Sequence, residues 1–268
     1  MIHSIAPFDS LSPNPMFQHC SSAKLMPMQI LNIAAYLFVD IHDTLATIDA
    51  IRAKCMDLAL KGTVLIAPEG INLFLAAELA NIEQFLSWLR ADSRFATLVE
   101  KRQFSAEQPF KRMKVKLKRE IVPLGVNNLS VAKNPAPRMT AELLKQWLDA
   151  GKEFILLDTR NRFEFERGTF AYAVDLNIGQ FRNFPDAVGA RLEEWQDKPI
   201  VTFCTGGIRC EKAAPLMQKM GFRDVHQLDG GILKYFELCG AAHYQGDCFV
   251  FDERTALDGA LAPATSSL

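Results

Sequence analysis

Apolar positions in the first half of the chain predict strands that alternate with helices. Continuous apolar runs rich in β-formers indicate strands, and apolar residues at helical spacing indicate helices. The predicted strands are 29–40, 63–68, 70–77, 97–105 and 110–121. The predicted helices are 42–62, which we expect to end at Gly62, and 78–92. The order of the elements up to residue 105 is βαββαβ, which is typical of a ferredoxin-like α+β sandwich.

The pattern in the second half predicts a parallel-sheet α/β domain, because strands again alternate with helices. The predicted strands are 153–160, 170–178, 198–204 and 224–232. The predicted helices are 139–151 with Thr140 as N-cap, 184–196, and 211–222 ending at Gly221. The strand 198–204 is largely apolar, so we expect it to be buried on both faces.

Turn-forming residues divide the chain into five segments. Residues 1–27 are rich in Ser and Pro and lack a signal-peptide pattern, so they are predicted to be a disordered N-terminal extension. Residues 122–138 hold three prolines and no clear periodicity, which indicates an interdomain linker. The remaining segments are a ferredoxin-like domain with a basic strand (28–121), an α/β catalytic domain (139–245) and a C-terminal tail (246–268).

Composition narrows the compartment and the partners. The chain has 268 residues, of which 49% are hydrophobic, and its net charge of −1 points to no particular partner. Six cysteines without a CxxC pair indicate a reducing, cytoplasmic compartment. The cysteines and histidines lack the paired spacing of a zinc site, so no metal is predicted. No apolar run approaches the roughly 20 residues that span a bilayer, so no membrane partner is expected.

The predicted strand 110–121 carries a concentrated positive charge. Arg112, Lys114, Lys116 and Lys118 alternate with apolar residues, which predicts one basic and one apolar face. Between residues 101 and 119 there are eight Lys or Arg and one acidic residue. Two interpretations are open. The lysines could protect an exposed sheet edge from aggregation, or they could bind a phosphate backbone.

The stretch "FCTGGIRCEK" (203–212) carries the candidate chemistry. Cys204 ends a buried strand directly before a helix, at the sheet edge where parallel folds bind ligands. The helix N-terminus and the charge of Arg209 favour the thiolate form of Cys204. Thr205, Gly206, Gly207, Ile208 and Arg209 are therefore predicted to form an anion cradle with Cys204 as the nucleophile. A cysteine phosphatase is the rival, but its loop is longer by about one residue, so the length here favours a smaller group such as sulfur.

Three further residues near the loop have candidate roles. Asp158 and Arg160 end the strand beside the loop, and we expect them to form an ion pair that supports it. Cys210 is a candidate resolving thiol for an oxidised or persulfidated Cys204, although its place in the first helical turn also fits a core position. The other cysteines are expected to be inert; they are Cys20, Cys55, Cys239 and Cys248.

Three motifs of the second half resemble those of rhodanese-like domains. They are "CTGGIR" (204–209), "DTRNRFEFERG" (158–168) and "LDGGI" (228–232). The rhodanese loop begins with a persulfide-forming cysteine, which corresponds here to Cys204. One departure is "GTFAYAVDLN" (168–177), which lacks the His and Pro that rhodaneses usually carry there. The resemblance implies a rhodanese-like parallel-sheet fold for residues 139–245.

Five motifs in order resemble the rhodanese-domain tRNA uridine hydroxylases over roughly residues 28–255. They are "GTVLIAPEGIN" (62–72), "MKVKLKREIVPLG" (113–125), "FCTGGIRCEK" (203–212), "GGILKYFE" (230–237) and "CFVFDER" (248–254). The resemblance implies oxygen-dependent conversion of a tRNA wobble uridine to 5-hydroxyuridine, with Cys204 as the essential residue. Dioxygen is then the co-substrate, and no metal, flavin or nucleotide cofactor is expected.

The resemblance also favours RNA binding by the basic strand, with tRNA rather than DNA as the partner. Two other functions stay open at this point. One is a rhodanese-type sulfurtransferase that forms a Cys204 persulfide. The other is a non-enzymatic binding module that keeps the loop for anion recognition. The sequence gives no indication of the oligomeric state.

Overall fold

A computed structural model of the protein describes most of the chain. The described residues are 30–126, 129, 131, 135–250, 256–262 and 264. The predicted N-terminal extension, residues 1–27, lies outside them.

The first half of the chain forms a mixed five-stranded sheet with two helices on one side. Its elements are β1 (Ile30–Phe38), α1 (Thr44–Asp57), β2 (Lys61–Ala67), β3 (Gly70–Glu78), α2 (Leu79–Arg90), β4 (Glu100–Ser105) and β5 (Met113–Leu117). The strand order is β4-β1-β3-β2-β5. Strand β5 is parallel to β2, and the other neighbours are antiparallel. The order and connections of the first four strands confirm the predicted ferredoxin-like class.

The first helix is shorter than its apolar pattern predicted. It ends at Asp57, and the backbone then turns through Ala59, whose φ is 51°. Gly62 was predicted to end this helix but lies in β2. A Cβ at this position would lie 2.0 Å from the carbonyl oxygen of Phe74 on β3. Glycine therefore permits the close approach of two strands here and does not cap a helix.

The two faces of this first sheet have different neighbours. Leu31, Ile33 and Ala35 of β1 lie in the core that α1 and α2 cover. Asn32, Ala34 and Tyr36 alternate with them and lie on the opposite side, which we call the second face. Strand register extends this face across the sheet to β5, since paired residues point to the same side. One row is Ala34, Phe74, Thr63 and Lys114, and the next is Tyr36, Asn72, Leu65 and Lys116.

The second half forms a sheet in which all neighbouring strands are parallel. Its elements are β6 (Arg138–Met139), α3 (Ala141–Asp149), β7 (Ile155–Asp158), α4 (Arg162–Arg167), β8 (Gly168–Phe170), β9 (Val174–Asp175), α5 (Phe184–Gly189), α6 (Leu192–Trp195), β10 (Pro199–Phe203), α7 (Cys210–Met220), β11 (Asp224–Leu228) and α8 (Gly231–Cys239). The order is β6-β11-β10-β7-β9. Central β10 is buried as predicted, with Ile200, Val201 and Phe203 all 0% exposed.

Two predicted elements of the second half are interrupted. The predicted strand 170–178 is wrong, because the chain turns at Tyr172, which has a φ of 64°. Strand β8 before this turn pairs antiparallel with β12 (Tyr244–Gly246), whereas β9 after it joins the parallel sheet. The predicted helix 184–196 is divided into α5 and α6.

Segments next to the two predicted domains pack against them. Val122, Leu124 and Ala136 of the predicted linker are buried in a core with α5 and α7. Within the predicted C-terminal tail, β13 (Cys248–Phe249) pairs with β14 (Ala256–Leu257). In the part of the chain that the structure describes, no helix is both long and apolar enough to cross a membrane.

Candidate active site

Cys204 lies at the carboxyl end of β10, in the loop that leads into α7. The backbone N–H of Gly207 donates a hydrogen bond to its sulfur, with an N–Sγ distance of 3.1 Å. The carbonyls of Cys204 and Thr205 accept hydrogen bonds from the N–H groups of Ile232 and Leu233, at 3.0 and 3.1 Å. The start of α8 thus holds the loop carbonyls, while a loop N–H group faces the sulfur.

The surroundings of Cys204 stabilise its thiolate. Burial alone would raise the pKa of this thiol. A hydrogen bond from Cys210, the charge of Arg209 and the N–H groups of both residues outweigh burial and lower the pKa to about 5. Cys204 is therefore ionised at neutral pH. Burial and the neighbouring Cys204 raise the pKa of Cys210 well above its usual value, so Cys210 is a neutral thiol.

Arg209 is bound to a carboxylate from another element. Its two terminal nitrogens donate to both carboxylate oxygens of Glu164, at 2.6 and 2.7 Å. Burial would raise the pKa of Glu164, but Arg209 and further hydrogen bonds lower it below the usual range. The guanidinium of Arg209 therefore acts on Cys204 as a nearby charge. The anion that the predicted cradle binds is thus the sulfur of Cys204 itself, which accepts a hydrogen bond from the backbone N–H of Gly207.

The predicted ion pair between Asp158 and Arg160 is present. The Nη2–Oδ2 distance is 2.6 Å, and both side chains are almost completely buried. Arg160 also donates to the carbonyl of Gly168 at 2.6 Å, and Thr169 donates to Asp158 at 3.0 Å. This network ties the end of β7 to β8, beside the Cys204 loop.

The first sheet supplies a lysine to the loop. The ammonium of Lys101, on the second face of β4, donates to the carbonyls of Gly206 and Gly230. Burial lowers the pKa of Lys101 to about 8, while the charge of Cys204 opposes that shift. Tyr36 reaches the same region, and its hydroxyl donates to Glu211 of α7 at 3.2 Å. The site is thus assembled from both halves of the chain.

A cavity of about 150 Å³ separates the second face from the Cys204 loop. Its walls include Asn32, Ala34 and Phe74 from the sheet, and Cys204 and Thr205 from the loop. Leu257 and Leu261 of the C-terminal segment complete it. An apolar protein cavity of about this volume accommodates a single six-membered ring.

Charged residues from three sequence motifs meet beside the site. The ammonium of Lys212 on α7 contacts Glu69 at 2.8 Å and Glu120 at 2.6 Å. It also donates to the carbonyl of Val122 at 3.1 Å. Lys212 is only 2% exposed, so these contacts compensate a buried charge. They tie the helix after the Cys204 loop to the first half of the chain.

The basic residues lie at and around edge strand β5. Lys114 and Lys116 point to the second face, since they pair with Thr63 and Leu65 of β2. Met113 and Val115 pack against the helix-covered core, as the alternation predicted, whereas Leu117 is 49% exposed. Arg112 and Lys118 flank the strand and are exposed. Lys116 is three strands from Tyr36, or about 14 Å.

The other cysteines that the sequence analysis considered are mostly buried. Cys210 is completely buried, with its sulfur 3.7 Å from the hydroxyl of Thr159. Cys55 and Cys248 are buried, and burial raises their thiol pKa values to about 12 and about 11. Among the residues that the structure describes, no group of three or more His, Cys, Asp or Glu side chains could hold a metal ion.

A parallel sheet whose central strand ends in a six-residue loop with a buried thiolate defines a rhodanese-like cysteine protein. Two family models match the chain accordingly. Residues 140–238 match the rhodanese-like domain, and residues 30–121 match the UPF0176 acylphosphatase like domain.

Curated relatives give a narrower assignment. A protein of Cupriavidus taiwanensis named tRNA uridine(34) hydroxylase is 51% identical over 242 residues, covering 88% of this chain and 86% of that protein. A Bordetella avium protein of the same name is 51% identical over 241 residues, covering 88% of this chain and all of that protein. The chain belongs to the tRNA uridine(34) hydroxylase family. The solved rhodanese-like domain of an Anabaena protein is 20% identical, with a TM-score of 0.36, covering 49% of this chain and 87% of that one.

Proposed function

We propose that this protein hydroxylates the wobble uridine of tRNA at C5, with the Cys204 thiolate as the reacting group. The observation that carries the proposal is the position of Cys204. Its thiolate, with a pKa of about 5, lines a ring-sized cavity under the same sheet face that carries Lys114 and Lys116. This arrangement suits a base that leaves its stack and enters a pocket while its backbone lies on basic side chains.

The chemistry of uracil explains why a thiolate is useful. C5 and C6 form a double bond conjugated with the C4 carbonyl, so a thiolate adds at C6. The displaced electron pair makes C5 nucleophilic, and C5 then takes up oxygen. Loss of the C5 hydrogen and departure of the thiolate restore the double bond. The net change is replacement of hydrogen by hydroxyl, a two-electron oxidation of the base.

We propose dioxygen as the co-substrate of this oxidation. One oxygen atom enters the base, and the other leaves as water after an external reductant supplies two electrons and two protons. The protein contributes a nucleophile that is ionised at neutral pH and a mainly apolar cavity around it. We place the reaction in the cytoplasm, which holds tRNA and keeps thiols reduced. The described cysteines agree with reducing conditions, since they are free thiols.

The basic residues Arg112, Lys114, Lys116 and Lys118 form the proposed RNA-binding surface. Backbone phosphates supply most of the affinity of such complexes, and lysine and arginine are their usual partners. The surface begins two strands from Phe74 of the cavity wall, or about 10 Å by strand spacing, a span of about three nucleotides at about 3.4 Å per phosphate. A flipped base and its neighbouring phosphates can therefore be bound together.

Nucleoside analysis of tRNA tests the function. A strain lacking the gene and any redundant pathway is rescued with the wild-type protein or with Cys204→Ala. We expect 5-hydroxyuridine derivatives to return only with the wild type. Equal levels in both strains would contradict the proposal. A thiosulfate assay runs in parallel, and Cys204-dependent turnover there without tRNA hydroxylation would instead support the sulfurtransferase alternative.

A further inference from the structure

Asn32 is a buried amide in the wall of the active-site cavity. It lies on the second face of β1, is 5% exposed and lines the cavity together with Cys204. Its Nδ2 donates to the carbonyl of Gln103 at 3.1 Å and to the hydroxyl of Ser105 at 2.9 Å. A longer contact of 3.4 Å reaches the carbonyl of Ile30. The nitrogen is therefore held by edge strand β4.

These contacts fix which end of the amide is the oxygen. If the group were rotated by half a turn, Oδ1 would face the carbonyls of Ile30 and Gln103, which are both acceptors. In the orientation that satisfies the nitrogen, Oδ1 is buried and has no hydrogen-bond partner among the described residues. Buried acceptors normally have a partner, so this oxygen is suited to a donor from a ligand.

Thr205 provides a second polar atom in the same cavity. Its hydroxyl oxygen is buried and has no nitrogen or oxygen partner among the described residues; it interacts with the thiol of Cys248, a weak hydrogen-bonding group. A hydroxyl can donate as well as accept. The sheet wall thus offers an acceptor, and the loop wall offers a donor. A flat ring with an N–H group next to a carbonyl would satisfy both.

We propose that Asn32 Oδ1 accepts a hydrogen bond from N3–H of the target uracil, and that the Thr205 hydroxyl donates to a carbonyl beside that N–H. This inference rests on the proposed function and deepens it by naming how the base is recognised. N3 and C6 lie at opposite corners of the ring, so a base held at N3 by the sheet wall presents C6 to the loop wall with Cys204. Cytosine has an acceptor at N3 and would leave Oδ1 unpaired.

Binding of two RNAs that differ in one group tests the inference. Anticodon stem–loops with wobble uridine or wobble 3-methyluridine are titrated into the anaerobic full-length protein, and affinity is measured by fluorescence anisotropy. The wild type is expected to bind uridine RNA about tenfold more tightly, because methylation removes the donor and leaves Oδ1 unpaired. Asn32→Ala is expected to bind both RNAs with nearly equal affinity.

The ratio of the two affinities separates recognition from structural damage. If Asn32 only held the strands together, Asn32→Ala would weaken both RNAs equally and keep the ratio, which would overturn the inference. Asn72→Ala is the matched control. Asn72 is a buried asparagine on the same face of β3 whose Nδ2 donates to Ile121 at 3.2 Å, and its variant should keep the wild-type ratio.

Results with the wild-type protein alone distinguish failure of this inference from failure of the proposed function. If the wild type binds both RNAs equally well, and hydroxylates the uridine RNA once dioxygen and a reductant are supplied, the inference fails and the proposed function stands. If it binds neither RNA, both fail together.

Discussion

Arg209 and Glu164 form a two-pronged ion pair beneath the Cys204 loop, with side chains 8% and 0% exposed. Both residues come from segments that resemble rhodanese motifs. Each neutralises the charge of the other inside the protein, where water does not solvate them. The charge of Arg209 lowers the pKa of Cys204. Both terminal nitrogens of its guanidinium are bonded to Glu164, so they are not free to bind a phosphate group. This pairing is a structural reason, besides loop length, to distinguish the site from that of a cysteine phosphatase.

Glu164→Gln should destabilise the protein strongly. The substitution leaves the buried guanidinium of Arg209 without its counter-charge, which costs about 3–5 kcal/mol in comparable buried pairs. The free energy of unfolding in urea measures the effect. Glu166→Gln, on the same helix, is the control, because Glu166 pairs with Arg162 at the exposed surface and solvent screens that pair. Similar small losses in both variants would show that the buried pair contributes little.

The thiolate of Cys204 should titrate with a midpoint near pH 5. A thiol with a pKa of about 5 is ionised above that pH and protonated below it, so the thiolate is present at neutral pH and lost as pH falls through about 5. Thiolate ultraviolet absorbance measured against Cys204→Ser isolates this group, and hydroxylation should decline over the same acidic range. A midpoint near 8 or above would mean that burial outweighs the surrounding donors.

Cys210 is predicted to act as a hydrogen-bond donor to the Cys204 thiolate. Cys210→Ala removes this donor and should raise the pKa of Cys204 by about 1–2 units, the equivalent of one hydrogen bond to a charged group. Cys210→Ser keeps a donor and should keep both a low pKa and activity. The resolving-thiol hypothesis also predicts a low pKa for the serine variant but no turnover, since a hydroxyl cannot form a disulfide.

Local sequence patterns were sufficient for the fold class and for the position of Cys204. These features depend only on residues that are neighbours in sequence. The structure has the predicted N-cap at Thr140 and the predicted helix end at Gly221. The predictions that were wrong concern residues whose role depends on contacts with residues far away in the sequence. Gly62 resembles a helix stop, yet its role is to let β2 approach Phe74 on β3.

The partners of the site residues were harder to predict for the same reason. Lys101 appeared in the sequence as one of several basic residues, but the structure buries it against the loop carbonyls of Gly206 and Gly230. Glu164 and Lys212 lay inside recognised motifs without an assigned role. No local pattern marked Lys212 and Glu120 as partners, since Lys212 follows Glu211 directly and Glu120 follows a run of basic residues.

The basic face of β5 should determine the salt dependence of tRNA binding. Lys114, Lys116 and Lys118 are predicted to contact phosphates, and each lost contact should lower the slope of log affinity against log salt by about one. Combined substitution of the three by Gln should therefore reduce the slope by about three, with affinity measured from low to physiological salt. Arg52→Gln is the control, because Arg52 lies on α1 across the sheet. An unchanged slope in the triple variant would favour the interpretation of these lysines as protection of a sheet edge.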